Sequence, residues 1–265
     1  MKNNLKTLVS IVSISTLVVL NTNAQKKSDK SVAISPAPVV VTQSSNASDV
    51  DFRMKIYKMA LQNGDLAVAK QSVYELLALQ PERTDFKDSL ALLYYNMGAN
   101  AECILVTRDI LAAQPEKQNI LELKAIAEQN IGMFKEALSD YEKVYAKSKD
   151  QYHLYQIAAI QYELKRVVEC KMSVEQLIAD KEIDKKEISI NVARGQQQKV
   201  AFKAAAWNMR GVLAMDVKEF DAAKDCFKQA VALSPDFVLA KGNLEFLEKK
   251  SVPAAATKTK PAPKK

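Results

Sequence analysis

Glycine, histidine and cysteine are all scarce in this chain of 265 residues, and each scarcity excludes a class of function. The six glycines are never adjacent, so no glycine-rich loop is present to wrap a phosphate. His153 is the single histidine and no Cys-x-x-Cys pair occurs, which removes the usual zinc sites. A nucleophile–base arrangement would have to be built on His153 alone, at the start of a helix, where an exposed groove or loop residue is the expectation. Cys103, Cys170 and Cys226 are odd in number and far apart, unlike a disulfide framework. Each stands where a small apolar residue would pack on a helix, and a buried free thiol is expected at all three. Five of the eight prolines (Pro36, Pro38, Pro253, Pro261 and Pro263) lie near the ends. The interior therefore has few breaks, and good helix formers such as Ala, Leu, Lys, Glu and Gln dominate it.

The net charge of +7 is carried by the ends. Lys2, Lys6, Lys26, Lys27 and Lys30 stand against Asp29 alone, and Lys249, Lys250, Lys258, Lys260, Lys264 and Lys265 follow Glu248 with no further acid. The body between Ser31 and Glu248 is slightly acidic, which gives no support to a nucleic-acid-binding face.

Residues 1–24 read as a secretory signal peptide: Lys2 and Lys6, an apolar run from Leu8 to Leu20, and small Thr22 and Ala24 before a cleavage that would leave Gln25 first. The run is diluted by Ser10, Ser13, Ser15 and Thr16 and is shorter than the roughly 20 apolar residues of a membrane span. A periplasmic address is expected. The alternative is an uncleaved inner-membrane anchor, the one case in which membrane contact would arise. No cysteine near the junction offers a thiol for lipid attachment.

Internal periodicity carries the fold. Gly64, Gly98 and Gly132 are spaced by 34 residues and 34 again; Pro81 and Pro115 repeat the step, as do Ala69, Cys103 and Ala137. That is the length of a helix–turn–helix repeat. Near the C-terminus Trp207, Gly211, Ala223, Phe227, Ala230 and Pro235 hold the spacings of the tetratricopeptide repeat, and the chain resembles exported bacterial members of that family. Arg210 and Ala214 depart from its Leu and Tyr. The register sets units at about 50–83, 84–117, 118–151, 152–184 and 204–237, with a capping helix over 237–248. In the degenerate fourth unit Ala159 and Tyr162 fit the first helix, while Cys170 and Val174 fit the second only after a one-residue slip. The expected fold is all-α: a right-handed superhelical solenoid over 49–250 of about five such units, since one unit cannot bury its apolar face alone.

Two kinds of segment fall outside the period. Between Asp184 and Ala204, Ile188, Ile190 and Val192 alternate with polar neighbours, Arg194-Gly195-Gln196 makes a turn, and Val200 and Phe202 alternate again, a β-hairpin pattern over 187–202. Residues 25–48 and 251–265 are rich in Ser, Pro, Ala and Lys and are expected to be a disordered linker and tail.

No catalytic, metal or cofactor constellation emerges. Acids such as Asp85 and Asp88 read as solvated helix-face residues, and an enzyme with a small-molecule substrate is not expected. The family resemblance implies a concave groove lined by the first helix of each unit, here Lys58, Leu92, Tyr95, Asn96, Ile126, Gln129, Asn130, Ile160, Asn208, Val212 and Met215. Apolar and carboxamide side chains of that kind suit an extended or helical peptide. The family's two-carboxylate clamp needs Lys and Asn in the first groove helix; Met54 and Lys58 stand there instead. The resemblance thus implies a scaffold or adaptor that binds a partner protein or peptide, or alternatively a holdase-like chaperone for exported proteins.

Overall fold

The computed structural model describes residues 43–193 and 196–251. The leader over 1–24, most of the 25–48 stretch, residues 252–265 and the Arg194-Gly195 turn lie outside the described residues. Within them the chain is helical except for one hairpin. In order, it forms α1 (Gln43–Gln62), α2 (Leu66–Leu79), α3 (Thr84–Asn96), α4 (Asn100–Ala113), α5 (Gln118–Asn130), α6 (Phe134–Ser148), α7 (Gln151–Glu163) and α8 (Val167–Ala179). There follow β1 (Glu187–Ala193), β2 (Gln196–Ala201), α9 (Phe202–Asp216), α10 (Phe220–Leu233) and α11 (Val238–Ser251).

Punctuation repeats with the period. Gly64, Gly98 and Gly132 sit just past the first helix of their pairs at φ 71°, 73° and 80°, a left-handed turn that a Cβ disfavours. Lys165 and Lys218 take the same place in the last two pairs at φ 60° and 66°. Pro81, Pro115 and Pro235 each follow a second helix and prevent its continuation. After α6 that proline is missing. Lys149 turns left-handed instead (φ 53°), and α7 begins sooner. The slip expected in the fourth pair therefore arises in the connection before it. Asp65 and Asp150 cap α2 and α7, their carboxylates accepting from the Val68 and Tyr152 N–H groups.

The chain divides within α6 into two compact units, one ending at Asp140 and the other starting at Tyr141. In the first, α1 to α5 pack in sequence, each helix on the next. Ala60, Ala69, Val73, Leu76, Phe86, Leu90 and Leu93 form one core cluster, and Cys103, Ile104 and Ala127 lie in another. In the second unit α7 packs on α8, α8 on α9, α9 on α10 and α10 on α11, so the helix stack continues across the inserted hairpin. One cluster runs from Leu154 and Tyr155 through Ile188, Ile190, Val200 and Phe202 to Phe227, Phe237 and Leu247.

Close approach within a pair is set by small side chains. Ala69, Cys103, Ala137, Cys170 and Ala223 occupy equivalent places and are all fully buried. The three thiols are free and buried, and burial pushes Cys103 up to about 11 and Cys170 to about 12. Gly211 is tighter still, for a Cβ there would meet the Phe227 ring at 2.5 Å. Arg210 pairs with Glu175 at 3.5 Å between α9 and α8, which gives the departure from Leu a structural role.

Candidate peptide-binding surfaces

The expected groove residues divide by unit. In the first unit Lys58 on α1 and Leu92 and Asn96 on α3 are exposed, Leu92 to 51%. Leu92 and Asn96 are one turn apart and share a face. Tyr95, Ile126 and Asn130 are half-buried, and Gln129 is buried. Tyr95 packs beside Cys103, Ile104 and Ala127, so α3 and α5 meet beneath this face. The Asn130 Nδ2 donates to Asn100 Oδ1 at 3.1 Å, and its own buried Oδ1 meets no donor among the described residues.

In the second unit the expected positions are consumed by packing, and the early start of α7 puts buried Ala159 rather than Ile160 in the place of Leu92. Ile160 is 0% exposed, Val212 2% and Asn208 6%; Met215 is half-buried against the core. Asn208 accepts a hydrogen bond from Asn243 Nδ2 at 3.1 Å, fixing α9 to α11. These side chains present almost no surface. α7 is covered on most sides, with Gln156 and Gln161 buried as well as its apolar residues.

His153, expected to be exposed, is buried instead. Its Nδ1 lies 2.9 Å from Ser148 Oγ, and the Tyr141 and Tyr152 rings flank it. The helix starts earlier than the period alone places it, which turns His153 inward. Asp85 and Asp88 are ion-paired rather than merely solvated. Arg83 holds Asp85 through two hydrogen bonds of 2.8 and 2.7 Å and lowers its pKa, while Lys117 reaches Asp88 at 2.6 Å.

A buried charge cluster escaped the sequence reading. Lys124 on α5 bonds both Glu128, at 2.5 Å, and Asp140 on α6. Burial pushes the Lys124 pKa down, but hydrogen bonds to the two carboxylates outweigh it and leave the net shift upward. Burial also raises Glu128, which is 0% exposed and whose Oε2 meets no hydrogen-bond donor among the described residues. The i,i+4 spacing of Lys124 and Glu128 was readable, but Asp140 belongs to the next helix and only packing supplies it.

The hairpin forms the second candidate surface. β1 and β2 pair antiparallel with Ile188 opposite Val200 and Ile190 opposite Gln198, and the register shifts between Asn191 and Ala193. Ile188, Ile190 and Val200 face the core, and Phe202 meets Tyr155 edge-on at 5.8 Å. The Gln198 side chain donates to the Asp236 carbonyl and accepts from the Val238 N–H, so β2 is tied to the α10–α11 turn. On the other side, a cavity of about 330 Å³ separates β1 from Tyr152, Tyr155 and Gln156 of α7.

Among the described residues no three His, Cys, Asp or Glu side chains are placed to hold a metal, and no helix is long and apolar enough to cross a membrane.

Residues 204–237 match the tetratricopeptide repeat family model. No curated protein matches the chain. Among solved structures, a tetratricopeptide repeat protein from Parabacteroides merdae is similar at 17% identity and a TM-score of 0.62, covering 77% of this chain and 75% of that one. YrrB, described as a tetratricopeptide protein with an unusual peptide-binding site, aligns at 13% identity and a TM-score of 0.59 over 76% of this chain and 95% of its own. MamA from Desulfovibrio magneticus aligns at 12% identity and 0.58, over 72% and 97%. The resemblance read from residues 207–235 is thus matched in sequence over one repeat and in fold over most of the chain.

Proposed function

We propose that this tetratricopeptide-fold chain is an exported interaction scaffold, holding a partner protein's extended or helical segment on the first-helix face of its first unit. The observation that carries this reading is the contrast between units at equivalent positions. Lys58 and Leu92 are exposed and Ile126 is half-buried, whereas Ala159 and Val212, in the matching place before the left-handed residue of their pairs, are buried; exposed Asn96 and half-buried Tyr95 and Asn130 adjoin the open positions. Apolar contact from Leu92, Tyr95 and Ile126 would supply affinity, and carboxamides that donate and accept would read the partner's backbone. YrrB, described as having an unusual peptide-binding site, is compatible with this use of the fold. The leader read over 1–24 supports a periplasmic address.

A second reading, a holdase for many exported clients, draws on apolar side chains exposed on several helices, among them Phe52, Met59, Leu105, Val168 and Met172. Purification of the tagged chain from cell envelopes, with mass spectrometry of what accompanies it, separates the two. One dominant companion supports the scaffold and a broad client spectrum supports the holdase. The recovered chain should begin at Gln25; full-length chain in the inner-membrane fraction would contradict the proposed address.

A further inference from the structure

We propose that the outer edge of β1 is a second binding site, taking an extended peptide from a partner as an added third strand, neutral or basic where it passes Glu187. The phase of the ladder decides which backbone groups face outward. The Phe202 N–H donates to the Lys186 carbonyl at 2.9 Å, so Lys186 and Phe202 are a hydrogen-bonded pair. In an antiparallel ladder such pairs alternate. Ile188 with Val200 and Ile190 with Gln198 are therefore the next bonded pairs, and Glu187, Ser189 and Asn191 turn their N–H and C=O groups away from β2. The same phase holds on the far strand, where the outward N–H of Ala201 donates to Ser234 Oγ at 2.9 Å.

The two edges are treated differently. β2's edge is closed by Ser234 and by the Gln198 bridge to the α10–α11 turn. Among the described residues β1 has no third strand, and no hydrogen bond joins the outward groups of Ser189 and Asn191 to another of them. Bare edges are ordinarily blunted by Pro, Lys or a cover, and β1 carries neither Pro nor Lys. In place of a cover stands the cavity of about 330 Å³. That is the lower end of the range for ligand pockets, about 300–1,000 Å³. A helix about 10 Å across does not enter it, whereas a single extended chain does. Tyr155 forms an aromatic wall and Tyr152 reaches the surface, so alternate side chains of an added strand find contact while its backbone pairs with Ser189 and Asn191.

The lining also sets the charge of the occupant. Of the nine residues around the cavity Glu187 alone is charged and none is basic; the rest are Tyr, Gln, Asn, Ser and Ile. Lys199 meets Glu187 at 2.9 Å, and the Glu187 carboxylate remains about half exposed. An acidic peptide would be repelled at this end of the strand, and a neutral or basic one accepted.

The test uses the full chain and a fluorescein-labelled hexapeptide of alternating Thr and Lys, read by fluorescence anisotropy. The controls are its Thr–Glu counterpart and a form N-methylated at alternate residues. The Thr–Lys peptide should bind, and each control should bind at least tenfold more weakly. Ser189→Pro removes an outward donor without a ladder bond and should cut affinity tenfold or more with circular dichroism unchanged. Glu187→Lys should invert the charge preference, and this second variant decides the matter if the proline disturbs folding. Leu92→Ala, in the other unit, should change nothing, so failure here is distinguishable from failure of the first-unit surface. Equal binding of the N-methylated peptide, or indifference to both hairpin variants, would overturn the proposal. So would binding that appears only after removal of residues 252–265, which would make the chain's own tail the occupant. A concentration-dependent dimer lost in Ser189→Pro would make it a second copy.

Discussion

Lys124 carries the strongest single-residue consequence of the fold. It bridges two buried carboxylates, Glu128 and Asp140, and removing it takes their shared cation out of the interior. Lys124→Met should therefore cost about 3–5 kcal/mol, read by chemical denaturation at pH 7, and a loss below about 1 kcal/mol would mean the cluster is effectively hydrated. Glu128→Gln should behave oppositely. Burial raises the Glu128 pKa, so the folded state holds this proton more tightly than the unfolded chain, and stability falls as pH rises through the folded value. The amide should flatten that decline and leave stability at neutral pH equal or higher. Two backbone positions make a further pair of opposite signs. Gly211→Ala drives a Cβ into the fully buried Phe227 ring and should cost about 1–3 kcal/mol. Lys218→Gly relieves a left-handed lysine and should gain about 0.5–1 kcal/mol in thermal unfolding. Gly211 was legible as a repeat position. The strain at Lys218 was not, because no residue type there signals the left-handed turn that three glycines signal elsewhere.

At the scale of elements, the hairpin is the part whose existence was readable and whose purpose was not. Alternation of Ile188, Ile190 and Val192 gave strands, and strands are found. What their apolar side covers depends on Tyr155 and on the α10–α11 turn, residues remote in sequence that no local pattern points to. The hairpin is a brace in the core of the second unit, with only the β1 edge left over. Replacing 187–201 with a short Gly/Ser linker should therefore destabilise that unit, since three buried aliphatic side chains contribute about 1.5–3 kcal/mol each. Trp207 is the single tryptophan and packs against this core, so its fluorescence isolates the effect. Its denaturation midpoint should fall, with helical content in buffer largely kept. An unchanged midpoint would show that the strands add nothing to the helix stack.

For the whole molecule, the period in glycine, proline and small residues was enough to read a stack of helical pairs, because nearest-neighbour packing repeats whatever the repeat contacts. It was not enough to tell an open inner face from a closed one. Position for position, Leu92 and Val212 look alike in the register, yet one is half exposed and the other buried. That difference is tertiary, set by what lies over α7 and α9, and it confines the proposed partner surface to the first unit. The most direct test is site-specific photo-crosslinking in cells. A photoreactive residue at Leu92 is compared with one at Leu105, which is 64% exposed on α4. The account predicts one discrete crosslinked partner from Leu92 and none from Leu105. Crosslinking from Leu105 with none from Leu92 would contradict it.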